Sequence, residues 1–244
     1  MNRLSPPSRF RQRGFYLPWV GGSAPAGDPD ISFVVNLTHA NSNSLNAFDT
    51  VIGPSFANAG PGASLDTSVK ALGAASILIP GVGIVSLNPG TTYHVGTNDY
   101  CYDLFFYATT LSTQVLLDCR PASTAGAWPV VVIASGAVLV DVNGSTLYSG
   151  GSLSTGQWYF LRHCRVGTTA YLHLGAQGSP TASLIASATD ANNYADSATV
   201  WLGVSAFSSF PLSSGNIDEF RFTNGSGRGG GSTVAIPTSE FVDF

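Results

Sequence analysis

Acid–base, nucleophilic or metal chemistry in this 244-residue chain has to come from a short list of side chains. There are two glutamates, Glu219 and Glu240, twelve aspartates, four histidines, three cysteines and one lysine, Lys70. Glycoside hydrolysis uses two carboxylates set about 5 Å or roughly 6.5–9.5 Å apart across the scissile bond. Glu219 stands alone on its strand-like segment, Glu240 lies in the tail, and the aspartates are scattered, mostly in turn-like contexts where Asp is at home. No Gly-x-Ser-x-Gly elbow is present for a serine nucleophile. His39, His94, His163 and His173 have no metal-pair spacing, although His163 and His173 flank one hairpin and could face each other across it. Asp141 and Asn143 form a small oxygen-rich loop, Asp141-Val142-Asn143-Gly144, but calcium needs six to eight oxygens and a turn accounts for both residues. No cofactor is expected, and the chemistry expected is binding rather than catalysis.

Cys101, Cys119 and Cys164 show no metal-ligand spacing, and an odd count suggests reduced thiols in a protein assembled in the cytosol. One pairing is sterically conceivable. A hairpin turning near Thr110-Leu111 would bring Cys101 and Cys119 nearly opposite on adjacent strands.

The elements that must position these groups are strands. Only 10% of residues are charged, 44% are hydrophobic, and Gly reaches 28, a poor composition for helical surfaces. Residues 100–108 alternate Tyr100, Tyr102, Leu104 and Phe106 on one face with Cys101, Asp103, Phe105 and Tyr107 on the other. Further β-type runs fall at 114–119, 129–134, 137–142, 145–149, 157–166, 169–174, 183–188, 199–206 and 216–223. Asn143-Gly144 between two of them is a strong hairpin signal, because both central residues must take positive φ. Strands recurring every 8–15 residues, with no 3.6-residue pattern between them, predict an all-β antiparallel two-sheet sandwich. Trp158 is expected to cap the core, and Asp218 to accept backbone N–H bonds from an adjoining loop.

Four segments carry a family resemblance. Ser154-Thr155-Gly156-Gln157-Trp158-Tyr159 followed by Arg165-Val166-Gly167-Thr168-Thr169 resembles the central hairpin of laminin-G-like, concanavalin A-like jelly rolls. Residues 99–107 resemble that family's "D-F-T-I-E-F-W-V-Y" strand, and residues 215–225 its closing "G-x-I-D-E-x-R-I-T-x-G" strand. Asp30-Ile31-Ser32-Phe33-Val34-Val35-Asn36-Leu37 sits where the first strand would be, so the likeness covers roughly 30–244. The chain departs from the pattern at His173-Leu174-Gly175-Ala176 and at Arg162. Such domains are widespread in phage virions, which implies a virion structural protein such as a capsid decoration, located in the particle and assembled in the host cytoplasm. The alternative it implies is a carbohydrate-binding tail or head adhesin for host-surface glycans and, behind that, a polysaccharide-degrading enzyme; the superfold itself fixes none of these roles.

Residues 1–30 read as an extended Pro/Arg-rich arm, and 31–244 as the sandwich. Arg3, Arg9, Arg11 and Arg13 precede any acid, which leaves the rest of the chain at −8. A basic arm on an acidic body predicts anchoring to other virion proteins in a multi-copy assembly, with Phe15, Tyr16 and Trp19 seated in apolar pockets. The acidic body disfavours nucleic acid. No run of about 18 apolar residues predicts a membrane span, and no apolar stretch after the first arginines reads as a secretory signal. Phe105, Tyr107, Arg162 and Tyr171 are the candidate patch for glycan or protein on a solvent-facing sheet.

Overall fold

In the computed structural model, alternation along the longest strands builds two packed sheets. The structure describes residues 27–44, 47–58, 63–81, 85–87, 94–120, 128–194, 200–203, 205 and 214–243. The partner-anchoring residues Arg3, Arg9, Arg11, Arg13, Phe15, Tyr16 and Trp19 lie outside these described residues. Among the described residues, seventeen strands follow a short 3-10 turn at Ile31–Phe33. They are β1 (Val34–Ser44), β2 (Ala47–Ile52), β3 (Ala57–Asn58), β4 (Ser64–Asp66), β5 (Ser76–Pro80) and β6 (Val85–Leu87). Next come β7 (Tyr100–Ala108), β8 (Gln114–Asp118), β9 (Pro129–Ala134), β10 (Ala137–Val142), β11 (Ser145–Gly150) and β12 (Trp158–Val166). The last are β13 (Thr169–Ala176), β14 (Thr181–Thr189), β15 (Val200–Leu202), β16 (Ser214–Asn224) and β17 (Thr233–Ala235).

The two antiparallel layers form a jelly-roll sandwich, as the alternation predicts. One layer runs β16-β7-β12-β13-β14-β17, and the other runs β6-β15-β8-β9-β10-β11. The main core lies between them, where Tyr102, Leu104 and Phe106 of β7 meet Val131 and Ile133 of β9. The Asn143-Gly144 turn takes φ 53° and 74°, the doubly positive geometry expected of it. Gly215 is needed for a different reason. With φ at +149°, a Cβ there would sit 1.9 Å from the Tyr107 carbonyl oxygen across the β16–β7 ladder.

The outer face of the first layer is also buried. Phe105, Trp158, Phe160, Leu37, Ile236 and Phe241 form a second apolar cluster there, because the tail after β17 folds back over the sheet. Trp158 therefore caps this outer cluster and not the inter-sheet core.

Three sequence expectations are corrected. Cys101 pairs with Cys164, directly opposite it on β12, and not with Cys119. β7 and β8 belong to different layers, so no hairpin brings 101 and 119 together; Cys119 is buried in the main core as a free thiol, its pKa pushed up by burial. The thiols of 101 and 164 are thus not reduced here. His163 and His173 do not face each other: His163 registers with Leu172, and His173 with Arg162. Adjacent register positions put their side chains on opposite faces of the sheet.

Candidate functional site: a groove and a carboxylate cluster on the outer sheet face

A break in the alternation of β16 positions the site. Against β7, Asp218 registers with Phe105 and Arg221 with Asp103, so two residues of β16, Glu219 and Phe220, oppose one of its partner, Leu104. This is a one-residue bulge. Ile217, Phe220 and Phe222 keep facing the main core. The extra residue, Glu219, takes a left-handed φ of 51°. On its other edge, β16 pairs with β5 up to Ile217 and with β1 from Phe220 onward. Asp218 and Glu219 therefore sit in the gap between two neighbouring strands, free of ladder pairing on that side.

Loop and tail segments fill the gap. Asp218 Oδ2 accepts the backbone N–H groups of Ala71 (2.9 Å) and Leu72 (3.0 Å), the role expected of it. Its Oδ1 is buried with no hydrogen-bond partner, and burial pushes the carboxyl up to about 7. Glu219, fully buried, bonds His39 Nδ1 of β1 through both oxygens (3.0 and 2.9 Å) and accepts the Phe241 N–H at 2.9 Å. Burial raises the Glu219 pKa; the Glu219 carboxylate raises that of His39 against its own desolvation. Glu240 joins them from the tail, accepting from Asn41 Nδ2. Thus the two glutamates that seemed isolated in sequence converge with His39, their ligand atoms all within 4.8 Å of one another.

Beside this cluster lies a surface groove of about 510 Å³. Leu72 of the loop, Gln177, Ser179 and Pro180 of the β13–β14 turn, and Ile236 and Thr238 of the tail form its walls. Gln177 ties two walls together by donating to the Ala71 carbonyl. Among the described residues lining the groove, none is titratable. Its chemistry is that of hydroxyls, an amide, backbone groups and small apolar surfaces.

The sequence-predicted patch does lie on this outer face, but the tail changes what it offers. Phe105 is fully buried beside Phe160 and Phe241. Arg162 is spent on Asp103, at 2.6 Å, and Arg221 grips the same carboxylate at 2.5 Å. Those two guanidinium groups hold the Asp103 pKa well below the usual carboxylate range, against its burial. Arg221 and Arg228 also clasp Asp28 (2.9 and 2.8 Å), so the described end of the segment read as arm is fastened to the body. Tyr107 is half-buried against Trp158, and Tyr171 is half-buried against Gly230. A solvent-facing aromatic patch centred on Phe105 is therefore not what the fold presents.

His39 and the groove residues were not singled out from sequence. The signal for the bulge was there: Ile217-Asp218-Glu219-Phe220-Arg221-Phe222 has one polar residue too many for period two. Asp141 lies near the end of β10, and Asn143 opens the β10–β11 turn. Among the described residues, only the His39 group gathers three metal-ligating side chains.

No protein-family model matches the chain, and no curated protein is similar to it in sequence. Solved structures do match in fold. Domain 4 of AbnA, an extracellular GH43 arabinanase of Geobacillus stearothermophilus solved with arabinotriose, superposes with a TM-score of 0.51 at 15% identity, covering 79% of this chain and 92% of that one. The botulinum neurotoxin serotype D binding domain gives 0.54 at 15% identity, over 80% of this chain and 48% of that one. The neurotoxin DC binding domain in complex with SialylT gives 0.55 at 10% identity, over 79% and 48%. The chain thus spans about half the length of those toxin domains. What it shares with all three is the sandwich fold.

Proposed function

We propose that this chain is a non-enzymatic glycan-binding module of a phage virion, and that the groove between Leu72, Ser179 and Thr238 receives the sugar. The observation that carries this reading is the groove's lining. Sugars present hydroxyls beside apolar C–H faces, and the groove offers Gln177, Ser179 and Thr238 beside Leu72, Pro180 and Ile236. General acid–base cleavage would need a titratable group within hydrogen-bond reach, and the described lining supplies none. Fold-sharing domains solved with arabinotriose and with SialylT support a sugar as ligand, as an analogy of fold.

The virion setting rests on the laminin-G-like segments and on the four arginines ahead of an acidic body. In that setting the arm fastens the module to other particle proteins in many copies, and the sandwich displays the groove. The test is a glycan array probed with the full chain and with Thr238→Trp, whose indole fills the groove from an exposed position. Binding by the parent and its loss in the variant is expected. A blank array, or equal binding by both proteins, would reject the groove as a sugar site; reducing-sugar release from bacterial polysaccharide would reject the non-enzymatic reading.

A further inference from the structure

Three carboxylates and one imidazole meet at the β16 bulge, and no Arg or Lys pairs with any of them among the described residues. The only ion pair there is His39 with Glu219. Glu219 is fully buried and Asp218 is 1% exposed. Removing an ionised carboxylate from water without a positive partner is costly. Asp218 Oδ1, on the residue before Glu219, is buried with no hydrogen-bond partner, so the bulge holds more carboxylate oxygen than the protein's own donors satisfy.

We propose that His39, Glu219 and Glu240 bind a zinc ion. The donor set selects the metal. Calcium takes oxygens only, six to eight of them, whereas an imidazole nitrogen with two carboxylates suits zinc. Bonds of about 2.1 Å in a tetrahedron place ligand atoms roughly 3.4 Å apart. His39 Nδ1 and Glu219 Oε2 are 2.9 Å apart, so a few tenths of an ångström of parting makes room for the ion between them. Glu240 closes the third position. Its ligand atom lies within 4.8 Å of the other two, and the side chain is half-buried. In the bound form, the Nδ1 lone pair of His39 turns to the metal and its ring proton sits on Nε2. The fourth position is left to water.

The ion would clip three separate pieces of chain: β1, the β16 bulge and the tail that carries Ile236 and Thr238 of the groove wall. Whether the groove holds sugar does not enter this inference, and the test does not use sugar.

The experiment titrates the full chain, stripped with EDTA, with ZnCl2 by calorimetry, and repeats it with CoCl2 while following visible absorption. One ion per chain, a raised Tm and a tetrahedral cobalt spectrum are expected. Glu240→Gln should weaken zinc by about tenfold or more, His39→Gln should abolish it, and His94→Gln should leave it unchanged. Should His39→Gln fail to fold, Glu240→Gln decides, because its side chain is partly exposed. Absence of saturable zinc binding, a zinc isotherm unaltered in Glu240→Gln, or a Tm rise with CaCl2 but not ZnCl2 would each overturn the assignment.

Discussion

Cys101 and Cys164 face each other directly across β7 and β12, Cα atoms 4.1 Å apart, and are joined as a disulfide 63 residues apart in sequence. Closing a loop of that length removes unfolded-state entropy equivalent to about 4 kcal/mol in the chain-entropy account. The double variant Cys101→Ala/Cys164→Ala should lose stability of that order in denaturant titration. Thiol counting without reductant, in denaturant, should find Cys119 alone. Three reactive thiols in the native preparation would show that the bond does not form.

Asp103 is buried under two guanidinium groups, and its loss leaves Arg162 and Arg221 without their shared carboxylate. Breaking a buried ion pair from one side costs about 3–5 kcal/mol. Asp103→Asn should approach that figure in urea unfolding. A change under about 1 kcal/mol would mean that the pairs of Asp103 with Arg162 and Arg221 add little to stability.

His163 lies fully buried between two tyrosines, with Tyr100 Oη 2.9 Å from Nε2 and Tyr148 Oη 2.6 Å from Nδ1. Burial pushes its pKa down from 6.5 to about 4. Between those values the unfolded chain holds a proton that the folded chain refuses, so stability falls as pH drops through the window. The full effect is about 3 kcal/mol at 1.36 kcal/mol per unit. Asp218, with its raised pKa, works in the opposite direction, so a difference must be measured. His163→Gln keeps hydrogen-bonding capacity without titrating in this range. From about pH 7.5 to about pH 4 the parent should lose roughly 3 kcal/mol more than the variant; parallel pH profiles would refute a buried neutral imidazole.

Gly215→Ala should disrupt the β16–β7 ladder, because its Cβ would collide with the Tyr107 carbonyl. A loss of at least about 2 kcal/mol is expected from strain and clash together. Gly144→Ala is the control. It too sits at positive φ, but nothing lies within 4 Å of its Cβ, so only about 1 kcal/mol is at stake. Equal losses in the two variants would remove the close-approach argument.

The sandwich was legible because short β-type runs recur every 8–15 residues, punctuated by turn signals such as Asn143-Gly144. The outer face was less so. Phe105, Trp158 and Phe160 are buried on that side as well, and a sheet covered on both faces carries no polar–apolar signature of which side meets water. Cys101 was matched to the wrong partner because pairing follows which strands become neighbours, and β7 lies beside β12, not β8. His39 and Glu219 meet across 180 residues of sequence, a distance over which local periodicity is silent. Asp218 could be read correctly because its role, accepting loop N–H groups, follows from a carboxylate beside a strand.

The bulge at Glu219 has a genetic corollary. Strike out that single codon and the sequence reads Ile217-Asp218-Phe220-Arg221-Phe222, a simple strand whose apolar residues still face inward. The acid is therefore an interpolation in an otherwise regular text, and the core sets no requirement for it. The inward face of β16 runs on without it, while the carboxylate it inserts is what the His39 ring and the Phe241 N–H reach.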